Sequence, residues 1–406
     1  MKRLKILIIP DAYLKDYSGA GVAIIARELL LEMGHEVAVF THETKTKFKE
    51  KDDVIIYPRL FSGMKSQFIE SDYERNYIEI LDEYRPDVIF IIGSVTNKPV
   101  CYLRIARKRG IKIICKIFMQ DFFCTKYYAN DEHGLCTRCL DKSFYSVLFS
   151  NCQSQKKTPK SILKNVIAAT LRKKMKKELV KADAVITSSK QQLNFYVRYG
   201  IPKEKCYITP LYFNGSKLKN FKSSRGNYYV FVAQNRIDKG IHLLKHILSE
   251  CSSDVKVIAA YTSQDRIAEA INQFGLQPYV DNGKLEMRAN CTWKSDLGNV
   301  ISDSLGVINP SIWPTTTEYV LLETLGLKKP IFTFNVGIHS EIIQTGVNGF
   351  VAETPMQMAR QMNEFIERPE LYDTISANAY TLYLKLTDRD SWKMTISNIF
   401  NNIGIY

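Results

Sequence analysis

Two successive series of short apolar runs, alternating with stretches of helical periodicity, restrict this 406-residue chain to very few architectures. In the first series the runs cover residues 4–9, 36–41, 54–57, 88–92, 111–118 and 184–188, with helical stretches at 22–33, 73–84 and 100–109. Strands separated by helices pair in parallel, because the crossover helix returns the chain to the same sheet edge. A sheet so built is covered on both faces, which is why its strands read as continuous apolar runs. Residues 214–227, NGSKLKNFKSSRGN, are polar and rich in Gly and Ser, as a linker would be. A second series then begins with runs at 228–233, 255–260 and 285–288, followed by a short run that ends at 309–310 and another at 330–334. One hydrophobic core rarely serves so long a chain. The expectation is an α/β protein of two domains, residues 1–212 and 213–388, followed by a last helical segment, 389–406.

The balance of charge narrows the class of partner. Lys and Arg number 56 against 42 Asp and Glu, a formal net charge of +14, which suits nucleic acid, an acidic membrane surface or a phosphorylated substrate. No apolar run approaches the ~18–20 residues of a membrane span, and the opening MKRLKILIIPDAY lacks a signal-peptide cleavage region and reads as a strand. A cytoplasmic chain is expected. Nine cysteines, an odd number spread over a long sequence, do not form a secreted disulfide framework.

Residues 308–334, INPSIWPTTTEYVLLETLGLKKPIFTF, carry the densest local information. A strand ends at Asn309-Pro310, a loop follows, and Thr315 with Glu318 has the spacing of a capping box, which predicts a helix over 315–327. Its start would lie at the strand-end edge of the sheet, where open α/β folds bind ligands, and a helix start favours an anion. Glu323 is the one acid on the apolar body of that helix and calls for a partner; a sugar hydroxyl would serve. Nearer the N-terminus, the first strand runs into a loop containing Gly19 and Gly21 before a helix. Glycines there either let backbone approach a ligand or simply make a tight turn.

Pro310-Ser311-Ile312-Trp313 and Glu323 resemble the nucleotide-binding core of group 1 (family 4 type) retaining glycosyltransferases with the GT-B fold. The resemblance extends along nearly the whole chain. It includes Gly34-His35-Glu36-Val37 after the first helix, Lys239-Gly240 at the start of the second series, and the glycine turn from Gly346 to Phe350. It implies two doubly wound Rossmann-like domains facing across a cleft, the first binding an acceptor and the second a nucleotide-sugar, with the last helix crossing back to the first. It further implies that Glu323 holds the ribose and that Lys239, with Arg236, holds the diphosphate and eases its departure, a task cations can perform without a metal. Gly19, Gly21, Thr315 and Thr316 would complete the anion site. Trp293 lies where relatives recognise the base, and stacks on a ring or belongs to the core. Three family positions differ: Gln120 stands for a His, Thr315 for a Glu and Gln234 for an Arg. Glu318 is a candidate to replace the missing Glu, or else the capping partner of Thr315. Asp121 binds an acceptor hydroxyl or caps a turn, and His339 lies near the donor sugar or in a turn.

Two further segments carry chemistry of their own. Cys124, Cys136, Cys139 and Cys152, with Cys136-Thr137-Arg138-Cys139 forming C-x-x-C, could enclose a structural zinc ion or remain thiols in a loop; His133 is a substitute ligand or a surface residue. Residues 156–181 hold ten Lys and Arg against Glu178 alone, with apolar residues at helical spacing; such a helix suits an anionic membrane surface or packs on the core with a solvated face. The expected function is transfer of a sugar, a UDP-sugar being favoured, to a glycan or lipid-linked acceptor of a bacterial surface polysaccharide. That reaction would need no catalytic cofactor, involve no nucleic acid, and take place in the cytoplasm or at the inner face of the membrane. Two other classes fit parts of the sequence: a nucleotide-sugar-binding subunit that no longer catalyses, and a zinc-bearing nucleic-acid-binding protein.

Overall fold

A computed structural model of the chain describes residues 2–13, 20–44, 48–50, 54–58, 71–95, 98, 100–131, 134–149, 158–211, 213–316 and 318–406. Gly19, His133, Cys152, Lys156 and Lys157 lie outside the described residues. The contacts divide the chain into two compact units, one made of Met1–Phe213 with Asp388–Tyr406, the other of Asn214–Thr387.

The first unit is built on strands β1 (Lys5–Pro10), β2 (Glu36–Thr44), β3 (Phe48–Glu50), β4 (Val54–Pro58), β5 (Val88–Ile92), β6 (Lys112–Lys116), and, after a two-residue ladder of β7 (Asn130–Asp131) and β8 (Gly134–Leu135), β9 (Ala184–Thr187) and β10 (Cys206–Ile208). Their order in the sheet is β10-β9-β6-β5-β1-β2-β4-β3, all neighbours parallel except the edge strand β3, which runs antiparallel to β4. Alternate residues of each strand divide between the two faces. Leu7, Ile9, Phe40, Ile89, Ile91, Ile113, Cys115 and Val185 form one core with Tyr77, Leu81, Leu103, Met175, Leu179, Phe195 and Tyr199 of the covering helices. On the helix Ala20–Glu32, Glu32 is joined to Arg389 and Lys393 of the last helix, Arg389–Asn402, which also buries Trp392 and Phe400.

The second unit is wholly parallel: β11 (Tyr229–Val232), β12 (Val257–Ala260), β13 (Leu285–Arg288), β14 (Gly306–Asn309), β15 (Ile331–Phe334) and β16 (Phe350–Ala352), in the order β13-β12-β11-β14-β15-β16. Phe231, Ile308, Phe332 and Phe350 pack with Leu244, Leu248, Met358, Met362 and Phe365 from its helices. The polar stretch expected to be a linker is in fact bound to this unit. Ser224 and Gly226 donate backbone N–H bonds to Ser302 and Ser304 carbonyls, and the buried Lys329 ammonium donates to the carbonyls of Ser224 and Ser304 and to the Tyr372 hydroxyl. A polar sequence hid this, because its contacts are made by backbone and by a lysine 105 residues away.

Both sheets reverse the direction in which strands are added. In the first unit the reversal falls between β1 and β5; in the second, between β11 and β14. The crevice beyond the C-terminal ends of such a strand pair is where doubly wound sheets bind ligands.

Candidate functional site

The chain leaves β11 through Ala233 and Gln234, turns over Ile237–Lys239, and enters the helix Ile241–Glu250 at Gly240. Gly240 has φ +78°, and a Cβ there would lie 1.9 Å from the Pro310 carbonyl oxygen, so only glycine lets this turn press against the loop leaving β14. The two loops are also bonded: the Asp238 carbonyl accepts from the Ile312 N–H at 3.1 Å and the Ser311 hydroxyl at 3.1 Å. Lys239 is thereby brought over the Trp313 ring, 4.8 Å from its centroid, with its ammonium 2.5 Å from Glu318 Oε1.

Glu318 does not close a capping box. The helix runs Tyr319–Gly326, with Glu318 extended at its N-cap and making no capping bond, so Thr315, Thr316 and Glu318 precede the helix. Its carboxylate is engaged elsewhere: Oε2 accepts from Asn309 Nδ2 at 2.8 Å and lies 2.8 Å from His339 Nε2, whose Nδ1 meets the Thr333 hydroxyl at 2.8 Å. Three partners, the part-buried Lys239, Asn309 and His339, hold the carboxylate away from the helix N–H groups, where a single cap would contribute ~1 kcal/mol. Burial acts to raise the Glu318 carboxyl, but the neighbouring Lys239 and His339 overcome it and hold the group far below the usual carboxylate range. Thr315 and Thr316 are buried in the same loop, which is pinned by a bond from the Ile338 N–H to the Thr315 carbonyl and by Gly337, whose Cβ would fall 2.5 Å from that oxygen.

Glu323 lies one turn inside the helix and is also buried. The sequence did not point to its partner, Lys217, whose ammonium is 2.5 Å from Glu323 Oε1 and 4.0 Å from the centroid of Trp293. Trp293 in turn stands edge-on to Phe221 at 6.0 Å and hydrogen-bonds Glu323. Burial pushes the Glu323 carboxyl up, and Lys217 and Trp293 offset only part of that. Lys217 comes from the stretch that reads as a linker, so no motif marked it. Arg236 is exposed and forks onto Asp238, 3.0 Å from Nε and 2.6 Å from Nη2, while Gln234 is exposed and its carbonyl accepts the Arg236 N–H.

In the first unit, Gln120 and Asp121 lie in a short turn after β6 and are fully buried. Gln120 Nε2 donates to Gln192 Oε1 at 3.3 Å; Asp121 accepts the Ser94 hydroxyl on its carboxylate and Arg172 Nε on its carbonyl. Both side chains are thus engaged within the first unit: Gln120, which stands for a His that positions the transferred sugar in relatives, by Gln192, and Asp121 by Ser94. Gly21 lies in the first turn of the helix Ala20–Glu32. Cys124 and Cys139 are buried, and Cys139 directs its thiol at the Phe144 carbonyl. Among the described residues no three His, Cys, Asp or Glu side chains are grouped to hold a metal; Cys152, the fourth cysteine of the expected zinc site, lies outside them. Nor, among those residues, is any helix long and apolar enough to cross a membrane.

Residues 21–211 match the model of Glycosyltransferase Family 4, and residues 216–382 that of Glycosyl transferases group 1. The chain belongs to the group 1 glycosyltransferases. Curated protein sequences give no match to this glycosyltransferase. Among solved structures, it is similar to the sucrose-phosphate synthase of Thermosynechococcus elongatus, with 14% identity over 99% of each chain and a TM-score of 0.70. It is similar also to the HepE protein of Anabaena in complex with UDP and glucose, 14% identical over 98% of this chain and 100% of the other, TM-score 0.64. WaaG, a glycosyltransferase of lipopolysaccharide biosynthesis, is 12% identical over 98% and 100%, TM-score 0.61. At such identities the likeness establishes the fold, the two-domain GT-B architecture.

Proposed function

We propose that this glycosyltransferase transfers a hexose from a UDP-sugar to a glycan or lipid-linked acceptor of a surface polysaccharide, with retention at the anomeric carbon. The observation that carries the proposal is the placement of Lys239, Glu318 and Glu323 on the loops and helix that leave β11 and β14, where the second sheet reverses, with Lys217, the partner of Glu323, also set over Trp293 of the loop after β13. Glu323 would take the ribose hydroxyls, Trp293 would border the base, and Lys239 with Arg236 would meet the diphosphate. As the glycosidic bond breaks, the Lys239 ammonium stabilises the charge gathering on the leaving phosphate, which itself accepts the acceptor's proton. No metal ion is needed for this step. The choice of UDP and of a surface glycan is supported by HepE, bound to UDP and glucose, and by WaaG, which acts in lipopolysaccharide biosynthesis.

A second function, nucleotide-sugar binding without turnover, is favoured by one feature: both cations nearest the expected phosphates already hold carboxylates, Lys239 on Glu318 and Arg236 on Asp238. Thermal shift with UDP, followed by UDP release from UDP-sugars by the purified chain, separates the two. A shift with turnover supports the enzyme, a shift without turnover the binding subunit, and no shift with any nucleotide diphosphate defeats both.

Placement at an anionic membrane is part of the same proposal. The helix Pro159–Leu179 begins at a capping box of Thr158 and Ser161, and it leaves Ile162 and Leu163 exposed between Lys160 and Lys164. Apolar side chains flanked by lysines suit an acidic lipid surface. Vesicles of phosphatidylglycerol should carry the chain upward in a flotation gradient at low salt and release it at high salt; failure to float at low salt removes this part.

A further inference from the structure

The first unit has its own point of reversal, between β1 and β5, and the residues there form a cluster that no sequence motif marked. Asp11 follows β1. Its Oδ2 accepts the Ser94 N–H at 2.6 Å, and its Oδ1 lies 2.6 Å from the Lys98 ammonium. Gly93, with φ +112°, ends β5, and a Cβ there would lie 2.3 Å from Asp11 Oδ2. The carboxylate thus occupies space that any other residue at 93 would fill. Lys98 spends its remaining donors on the carbonyls of Ile92, at 3.3 Å, and Ser94, at 2.9 Å, so it balances charge and has none left for a ligand. Asp121, the acid to which the sequence pointed, is wholly buried behind Ser94. Asp11 keeps 27% of its side-chain surface, and two bonds fill only about half of a carboxylate's four acceptor sites.

We propose that Asp11 binds a hydroxyl of the acceptor, accepting a hydrogen bond that holds the alcohol over the reversal point of the first sheet. The inference rests on the transfer reaction proposed above and names a residue of its acceptor site. A carboxylate offers acceptors only, so it takes hydroxyls and has no donor for a phosphate oxygen. The acceptor group seated here is therefore a neutral sugar or polyol, and any phosphate on the acceptor lies away from Asp11.

The test uses the full chain, with UDP-glucose, UDP-galactose, UDP-N-acetylglucosamine and UDP-glucuronate as donors and glycerol as the acceptor probe. Asp11→Ala should raise the KM for glycerol at least tenfold, lower kcat at saturating glycerol less than threefold, and leave the donor KM within twofold. Asp11→Asn, which retains an accepting oxygen beside Ser94, should fall between Asp11→Ala and wild type. Each variant is first required to show the wild-type thermal shift with UDP, which establishes that it is folded and that its donor site is intact. An unchanged glycerol KM in Asp11→Ala, or glycerol and donor KM rising together, overturns the proposal. So does a wild-type chain that binds UDP yet forms no glycosyl-glycerol from any of the four donors. Absence of a UDP shift in the wild type is a different failure, that of the donor site itself.

Discussion

Glu318 and Glu323 each hold a lysine at 2.5 Å, yet their carboxyls move in opposite directions. At Glu318, Lys239 and His339 outweigh burial; at Glu323, burial prevails over Lys217 and Trp293. The two should therefore respond oppositely to removal of charge. Glu323→Gln relieves a buried carboxylate whose folded pKa is raised, a group that costs stability above that pKa and ceases to cost as pH falls. Its melting temperature at pH 7 should rise while UDP affinity drops by about 10–100-fold, the worth of a charge-assisted hydrogen bond. Glu318→Gln leaves the part-buried Lys239 without its counter-charge and should cost about 2 kcal/mol at pH 7, less than the loss of a fully buried pair. A lowered folded pKa gives stability that is present above the unfolded value and lost as pH falls through the folded one. The difference between wild type and Glu318→Gln should therefore shrink below about pH 4. The freed Lys239 should at the same time bind UDP more tightly, as calorimetric titration would register. Glu323 and Lys239 could be singled out from sequence because each stands in a local pattern. Lys217, Ser94 and Lys98 could not, since each acts on a side chain or loop distant from its own neighbours.

At the scale of single elements, the strand-and-helix alternation was legible because burial on both faces writes itself as apolar runs. The start of the helix at Tyr319 was not, because Glu318 is held by Lys239, 79 residues away. The same applies to residues 214–227, whose polarity suggests a tether and whose backbone is bonded to the second sheet's surroundings. Gly240→Ala tests how tightly the two loops of that sheet are pressed together. A methyl group set against the Pro310 carbonyl, on a backbone at φ +78°, should cost about 3 kcal/mol in chemical unfolding and weaken UDP binding as well. Lys329 tests the attachment of the polar stretch. Burial lowers its ammonium from the ordinary lysine value to about 8. Below pH 8 the full cost of a buried charge is present, and between pH 8 and about 10.4 the unfolded chain binds the extra proton, so stability rises with pH. That rise, up to about 3 kcal/mol, should be missing in Lys329→Met.

For the molecule as a whole, separate cores in the two units predict two unfolding transitions by calorimetry, of which UDP should raise only the one belonging to Asn214–Thr387. The segment Asp388–Tyr406 closes the first unit: Tyr406 meets His35 Nε2 at 2.9 Å, and Trp392 and Phe400 are buried. Deleting it should lower the other transition and spare the one that UDP raises. This arrangement has a consequence during synthesis. Residues 214–387 are contiguous, so that unit can be complete as soon as they leave the ribosome, whereas the unit begun by residues 1–213 waits for Asp388–Tyr406. The half that is translated first is finished last, and in the interval the faces of His35 and Glu32 that the final helix will cover are open to chaperones.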